Sequence, residues 1–327
     1  MREKDFRDYY RDRGFSDEDA DSAVEAVVEF EGRLKEKGAS LESVSIDGVK
    51  EHISLLISEE RNSMDKLLGL ARYFYLMKRN DVYIYFTSIL GGRTVLPSIS
   101  ERLAQIAGEE KRDAVFEGVK APPLGSPPEE FPKATGLLME RLVSGLDRDT
   151  YRRVLAGNHH RIPDAAFDRN REWYHEAESL EEYLKRVHEE AVVELEQYLE
   201  EGKVWYEQEI TPEVVEYVRG NQEVLSGVRD GDRIYMTKFP YAPGEYLRET
   251  DPWMKRYYMC HCPLARASIL TGDPEISGEW CYCSAGFGKA KFDAVFGVET
   301  EVEVLKTVLD GDLTCRFAVK IPEGVTK

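Results

Sequence analysis

Apolar positions along the first two-thirds of the chain recur with a helical period. Ala23, Val24, Val27, Val28 and Phe30 are spaced so that they share one helix face. Ser16 followed by Asp17, Glu18 and Asp19 supplies this helix with an N-cap and an acidic first turn. The segments "IDGVKEHISLLISEE" and "SMDKLLGLARYFYLMKR" predict two further helices; in the second, Leu67, Leu68, Leu70, Ala71, Phe74 and Leu76 form the apolar stripe. "NDVYIYFTSILGG" is apolar and aromatic but too short to separate helix from strand by periodicity. "SISERLAQIAGEEKRDAVFEGV" predicts one helix opening on serine caps. "ATGLLMERLVSGL", "RDTYRRVLAG" and the long "SLEEYLKRVHEEAVVELEQYLEEGK" predict more.

The pattern changes near Val204. "DRIYMTKFPY", "ETEVEVLKTVL" and "LTCRFAVKIP" are rich in β-branched and aromatic residues, and the last alternates. Asp310-Gly311-Asp312 between the final two predicts a tight turn, and so a terminal β-hairpin. "SAGFGKAKFDAVFG" ahead of it predicts a short helix. The fold class is therefore α+β. A helical bundle is expected over 1–90 and a helical middle region over 91–203. An α+β ligand- or metal-binding domain is expected over 204–327. The clearest loop is "KAPPLGSPPEEFPK", within 120–133, because proline removes backbone donors and opposes helix.

At 327 residues the chain is long enough for two or three cores. It has no apolar run long enough for a membrane span and no signal-peptide pattern at its start, so a cytoplasmic protein without a membrane partner is expected. The net charge of −18 argues against a nucleic-acid partner, since phosphate binding needs a basic surface.

Four of the five cysteines lie in "MCHCPLARASILTGDPEISGEWCYCS". Cys260 and Cys262 flank His261, Cys281 and Cys283 form a second pair, and Cys315 follows the expected hairpin turn. Thiolates with an imidazole suit zinc, and an iron–sulfur cluster less well. Cys-x-Cys is a less common ligand spacing than Cys-x-x-Cys, because in a plain strand its two sulfurs point to opposite faces. Three readings stay open: a metal held by some of Cys260, His261, Cys262, Cys281, Cys283 and Cys315; a reactive thiol; and buried or disulfide-bonded cysteines. In the second, Cys281 or Cys283 would be activated by His261 or by Lys289.

"GNHHRIP", with His159 and His160, offers a ligand or a general base, against a plainer reading as a loop held by Asn and His hydrogen bonds. His175 and His188 lack metal-ligand spacing. "SAGFGKA" lacks the gap of a phosphate loop and reads as a tight entry into a helix. Trp205, Tyr241, Tyr257 and Trp280 belong to an aromatic-rich C-terminal part that suits a core or an apolar pocket.

From about Arg256 to Pro322, the sequence of a cysteine, a second cysteine, a helix, a strand and "GDLTCRF" resembles the 4-vinyl reductase domain superfamily and the related L-2-amino-thiazoline-4-carboxylic acid hydrolase family. The resemblance implies an α+β domain around a small-molecule pocket. Sensory members imply zinc held by three cysteines and a glutamate; the last cysteine carries over to Cys315 and the first to Cys281 or Cys283. The middle two positions fall near Val304 and Thr307, which cannot replace them. Cys260, His261 and Cys262 are the residues that would fill that gap. The hydrolase relatives imply attack of water on a small sulfur heterocycle. Residues 5–80 are similar to the helical (SAM-like) core-binding domain of tyrosine recombinases, without a counterpart of their catalytic domain. The expected function is a small-molecule-binding protein with a cysteine-rich, zinc-holding site. The alternative is a hydrolase of a small sulfur- or nitrogen-containing molecule, and homodimerisation stays open.

Overall fold

A computed structural model describes residues 1–325. The fold is α+β: helices fill the N-terminal region, and two small antiparallel sheets lie in the C-terminal region. The chain forms two compact units. One is Met1–Gly91 with Pro122–Glu130; the other is Gly92–Ala121 with the described residues from Phe131 onward. The middle and C-terminal regions, distinct in composition, thus share one unit.

The first unit holds α1 (Glu3–Arg11), α2 (Asp17–Glu36), α3 (Ile46–Ser58), α4 (Met64–Leu76) and α5 (Asn80–Leu90). Ser16 caps α2 in a capping box: its Oγ accepts from the Asp19 amide at 3.1 Å, and Asp19 accepts from the Ser16 amide at 3.0 Å. Ser45 and Ser63 cap α3 and α4 one way only, each accepting with its hydroxyl from an amide in the first turn, Gly48 and Lys66. Gly69 of α4 sits where a Cβ would lie 3.0 Å from the Ala23 Cα, so two small residues let α2 and α4 pack closely. The ambiguous "NDVYIYFTSILGG" is α5, with Val82, Phe86 and Ile89 on one buried helix face. In the proline-rich segment, the Leu124 carbonyl accepts from Asn62 Nδ2 at 2.7 Å.

The second unit begins with α6 (Val95–Ala107) and α7 (Glu109–Phe116). The single helix expected here is two, broken at Gly108, whose φ of 91° lies outside helical geometry. Next come α8 (Phe131–Gly145), α9 (Arg148–Leu155), α10 (Asp168–Glu176) and α11 (Leu180–Glu201). A small hairpin follows, β1 (Val204–Trp205) paired with β2 (Gln208–Glu209), and then α12 (Pro212–Arg219). β3 (Val228–Asp230), β4 (Arg233–Thr237), α13 (Pro243–Arg248), α14 (Pro252–Met259), α15 (Arg266–Thr271), α16 (Tyr282–Phe296), β5 (Val302–Lys306) and β6 (Arg316–Lys320) complete the unit.

The four-stranded sheet has the order β3-β4-β6-β5, antiparallel throughout. Ile234 and Met236 of β4 and Phe317 and Val319 of β6 are buried in a common core with Phe292 of α16. β5 and β6 form the expected terminal hairpin, but the connection is not a tight turn. It runs from Thr307 to Cys315, organised by Thr307: its amide donates to Asp312 at 3.0 Å, and its hydroxyl accepts from the amides of Leu309 and Asp310.

Candidate functional site

α16 starts two residues before "SAGFGKA", running directly on from a 3-10 turn over Gly278–Cys281. Gly286 is therefore a mid-helix residue, not an entry loop. A Cβ there would lie 2.6 Å from the Ala156 carbonyl carbon and 2.6 Å from the Gly157 oxygen. Only glycine lets the 157–160 loop pack on the helix backbone, far inside any real Cβ contact. The loop brings the two adjacent histidines to different fates. His159 is fully buried: Nε2 donates to the Val154 carbonyl at 2.9 Å, which leaves Nδ1 to accept from Ser98 Oγ at 3.0 Å. It is a structural residue, and Asn158 ties the loop by exchanging bonds with the Ile162 backbone. The His160 ring instead stands edge-on to Phe287 at 5.0 Å, in the field of Lys238.

Lys238 is the hub of this region. It follows β4, its amide donates to the Cys315 carbonyl at 2.9 Å, and its Nζ donates to Ser284 Oγ in the first turn of α16. Its charge is felt by His160, His261, Cys262, Cys283, Cys315 and Glu207. Burial and the lysine charge hold the neutral form of both histidines, with pKa values of about 4 for His160 and about 3 for His261. His261 Nε2 donates to the Phe239 carbonyl at 2.7 Å, which fixes its tautomer.

Glu207 and Arg266 complete the charged set. Glu207 occupies the tip of the β1–β2 hairpin, beside Tyr206, whose φ of 52° is costly for a bulky side chain. Burial raises the Glu207 pKa, against the pull of Arg266 and Lys238. Arg266 opens α15 and is only 6% exposed. Its guanidinium lies 3.8 Å above the Tyr241 ring centroid and 5.1 Å from that of Tyr257. The Tyr241 ring in turn meets His261 edge-on at 5.5 Å.

All five cysteines are free thiols, so the disulfide reading does not hold. Cys260, Cys281, Cys283 and Cys315 are buried and Cys262 is half-buried. Cys281 shares a hydrogen bond with Cys315, and this, with burial, pushes its pKa well up. Burial pushes Cys260 up to about 12 and also raises Cys262 and Cys283. Trp280 Nε1 donates to Cys262 Sγ at 3.2 Å. Four of the five thiols are thus held in the protonated form, which is not the nucleophile. Among the described residues no three His, Cys, Asp or Glu side chains are grouped so as to hold a metal ion. Lys289, a candidate activator of Cys281 or Cys283, is ion-paired with Asp293 at 2.5 Å. His188 is also committed, with Nε2 donating to the Val218 carbonyl at 2.8 Å.

Sequence reasoning found the cysteines, His261 and the His160 loop, but missed Glu207, Lys238, Arg266 and Ser284 as a group. One signal was present: Arg266 is a lone charge inside the apolar run Leu264 to Leu270.

The model of a family of unknown function, DUF6144, matches residues 222–325. This stretch contains Lys238, His261, Arg266, Ser284 and all five cysteines, and leaves out Glu207 and His160. No curated protein and no solved structure matches the chain.

Proposed function

We propose that the second unit binds a small molecule in the polar interior beside the cysteines. The carrying observation is that Glu207, Lys238 and Arg266 are drawn into one region, and no ion pair joins them among the described residues. Burying a charge costs several kcal/mol unless it is paired. Such groups are retained where a ligand completes them, in a pocket that is largely aromatic. Tyr241, Tyr257 and Phe287 supply the apolar walls. Native mass spectrometry of the purified full chain tests this reading. A bound small molecule, or one captured from a metabolite extract and lost in Lys238→Met, supports it. A chain that captures nothing under either condition opposes it.

A hydrolase is the second reading, favoured by the Lys238–Ser284 hydrogen bond next to two neutral histidines. Ser284 would attack a carbonyl carbon, with an imidazole taking the hydroxyl proton and giving it to the departing group; water would then cleave the ester on Ser284 and restore its hydroxyl. Zinc at the cysteines is a separate proposal that rests on the sequence. Among the described residues the cysteines are not grouped three to one point, so the site would have to draw them together on binding. Elemental analysis decides: less than about 0.2 metal per chain would end it, because a structural site binds zinc stoichiometrically. The free thiols agree with a reducing compartment, and a cytoplasmic location is proposed on that ground. Among the described residues, no helix is long and apolar enough to cross a membrane.

A further inference from the structure

Among the described residues of the second unit, the buried side-chain polar atoms without a hydrogen-bond partner are Trp205 Nε1, Arg266 Nε and Arg266 Nη1. All are donors, and Arg266 Nη1 carries two N–H bonds. The shortage is therefore of acceptors, and it is local. The Trp205 ring packs on Phe239 at 5.5 Å, and the Phe239 carbonyl holds His261, which abuts Tyr241 under Arg266. The charges agree with the donor count. Arg266 and Lys238 are cations, and both pull on the Glu207 carboxylate. A chain of net charge −18 thus keeps a cationic interior.

We infer that the occupant of this site is a small carboxylate, and that Arg266 is its receptor. The inference rests on the small-molecule reading above and names the chemical class that the site takes. Two geometric facts favour a carboxylate over a phosphate. First, Tyr241 and Tyr257 flank the guanidinium, so a planar group that enters beside it lies between aromatic walls. Second, the usual phosphate cradle of free amides at a helix start is missing, because α16 runs on from a 3-10 turn that uses them. The Lys238–Ser284 pair would face the body of the ligand.

The test uses benzoate, benzamide and inorganic phosphate at matched ionic strength, with the full chain, by ligand-observed NMR and thermal shift. Saturable benzoate binding, with benzamide at least tenfold weaker and with benzoate lost in Arg266→Met, is the expected result. Arg266→Gln repeats the comparison should the methionine variant not fold, and the wild-type pair of probes needs no variant. Phosphate binding without benzoate binding overturns the carboxylate and keeps the pocket. Equal binding of benzoate and benzamide, unchanged in Arg266→Met, overturns the anion and also keeps the pocket. If no probe binds and Arg266→Met only lowers the melting temperature, Arg266 is a structural cation. The inference then fails, while the pocket stands or falls on the mass-spectrometric test above.

Discussion

The guanidinium of Arg266 lies 3.8 Å above the ring centroid of Tyr241. The tyrosine thereby supports a buried cation that no carboxylate in the described chain meets. Cation–π contacts of this kind contribute about 0.5–2 kcal/mol, more when desolvated. Tyr241→Leu should lower unfolding stability by about 1–2 kcal/mol on that basis. Tyr241→Phe keeps the ring and should lose less. Urea melts of the two variants check this; equal losses would show that the hydroxyl, not the ring, holds the arginine.

Gly286→Ala should be among the most damaging single substitutions in the second unit. The added Cβ meets the Ala156 carbonyl carbon and the Gly157 oxygen at 2.6 Å, so backbone has to move. Overpacking typically costs about 1–3 kcal/mol, and backbone gives less readily than side chains. The His160–Phe287 contact should be lost as the loop is pushed off. A drop in melting temperature with altered His160 NMR shifts is expected, and a variant as stable as wild type would contradict the close packing.

His52 gives the first unit an acid sensitivity of its own. Its ring is 5% exposed and stacks on Phe30 at 4.2 Å, and neither ring nitrogen has a hydrogen-bond partner. Burial, then the Arg33 charge, depresses its pKa from 6.5 to about 4. The unfolded chain therefore binds this proton more readily than the folded one in that interval. Stability is unaffected above the unfolded value and falls as pH drops toward 4, by about 1.4 kcal/mol per pH unit for one proton. His159, His160 and His261 add slopes of the same sign in the second unit. His52→Leu should flatten the pH dependence of first-unit unfolding between pH 6.5 and 4, read by urea midpoints from a first-unit probe. An unchanged slope would mean that His52 is protonated in the folded state.

The thiols should be slow to react in the native protein. Raised pKa values and burial leave little thiolate at neutral pH for Cys260, Cys262, Cys281 and Cys283. Iodoacetamide at pH 7.5 should label these four mainly after urea is added. Fast stoichiometric labelling of Cys281 or Cys283 in the folded state would restore the reactive-thiol reading.

Periodicity made α2, α3, α4 and α11 legible, because amphipathic helices with side-chain caps carry their signal locally. The terminal hairpin was legible from alternation, yet its long connection was not, since Thr307 organises that loop through a carboxylate five positions away. Gly108 shows the converse limit: one residue with positive φ splits a helix whose apolar pattern reads as continuous. The β1–β2 hairpin is two residues per strand, below the length at which alternation speaks.

The residues of the site divide in the same way. Helical and strand periods, caps and clustered cysteines are properties of short stretches, so the fold class and the neighbourhood of the chemistry can be read along the chain. Which of those residues are spent on structure and which are left unsatisfied depends on how the chain folds around them. His159 and His160 are adjacent in the chain, yet one is bonded on both nitrogens and the other meets Phe287 edge-on. Arg266 stands apart from most other charges of the chain by its burial and by two guanidinium nitrogens without a hydrogen-bond partner. A missing partner is a fact about three-dimensional surroundings, and no pattern along the chain records it.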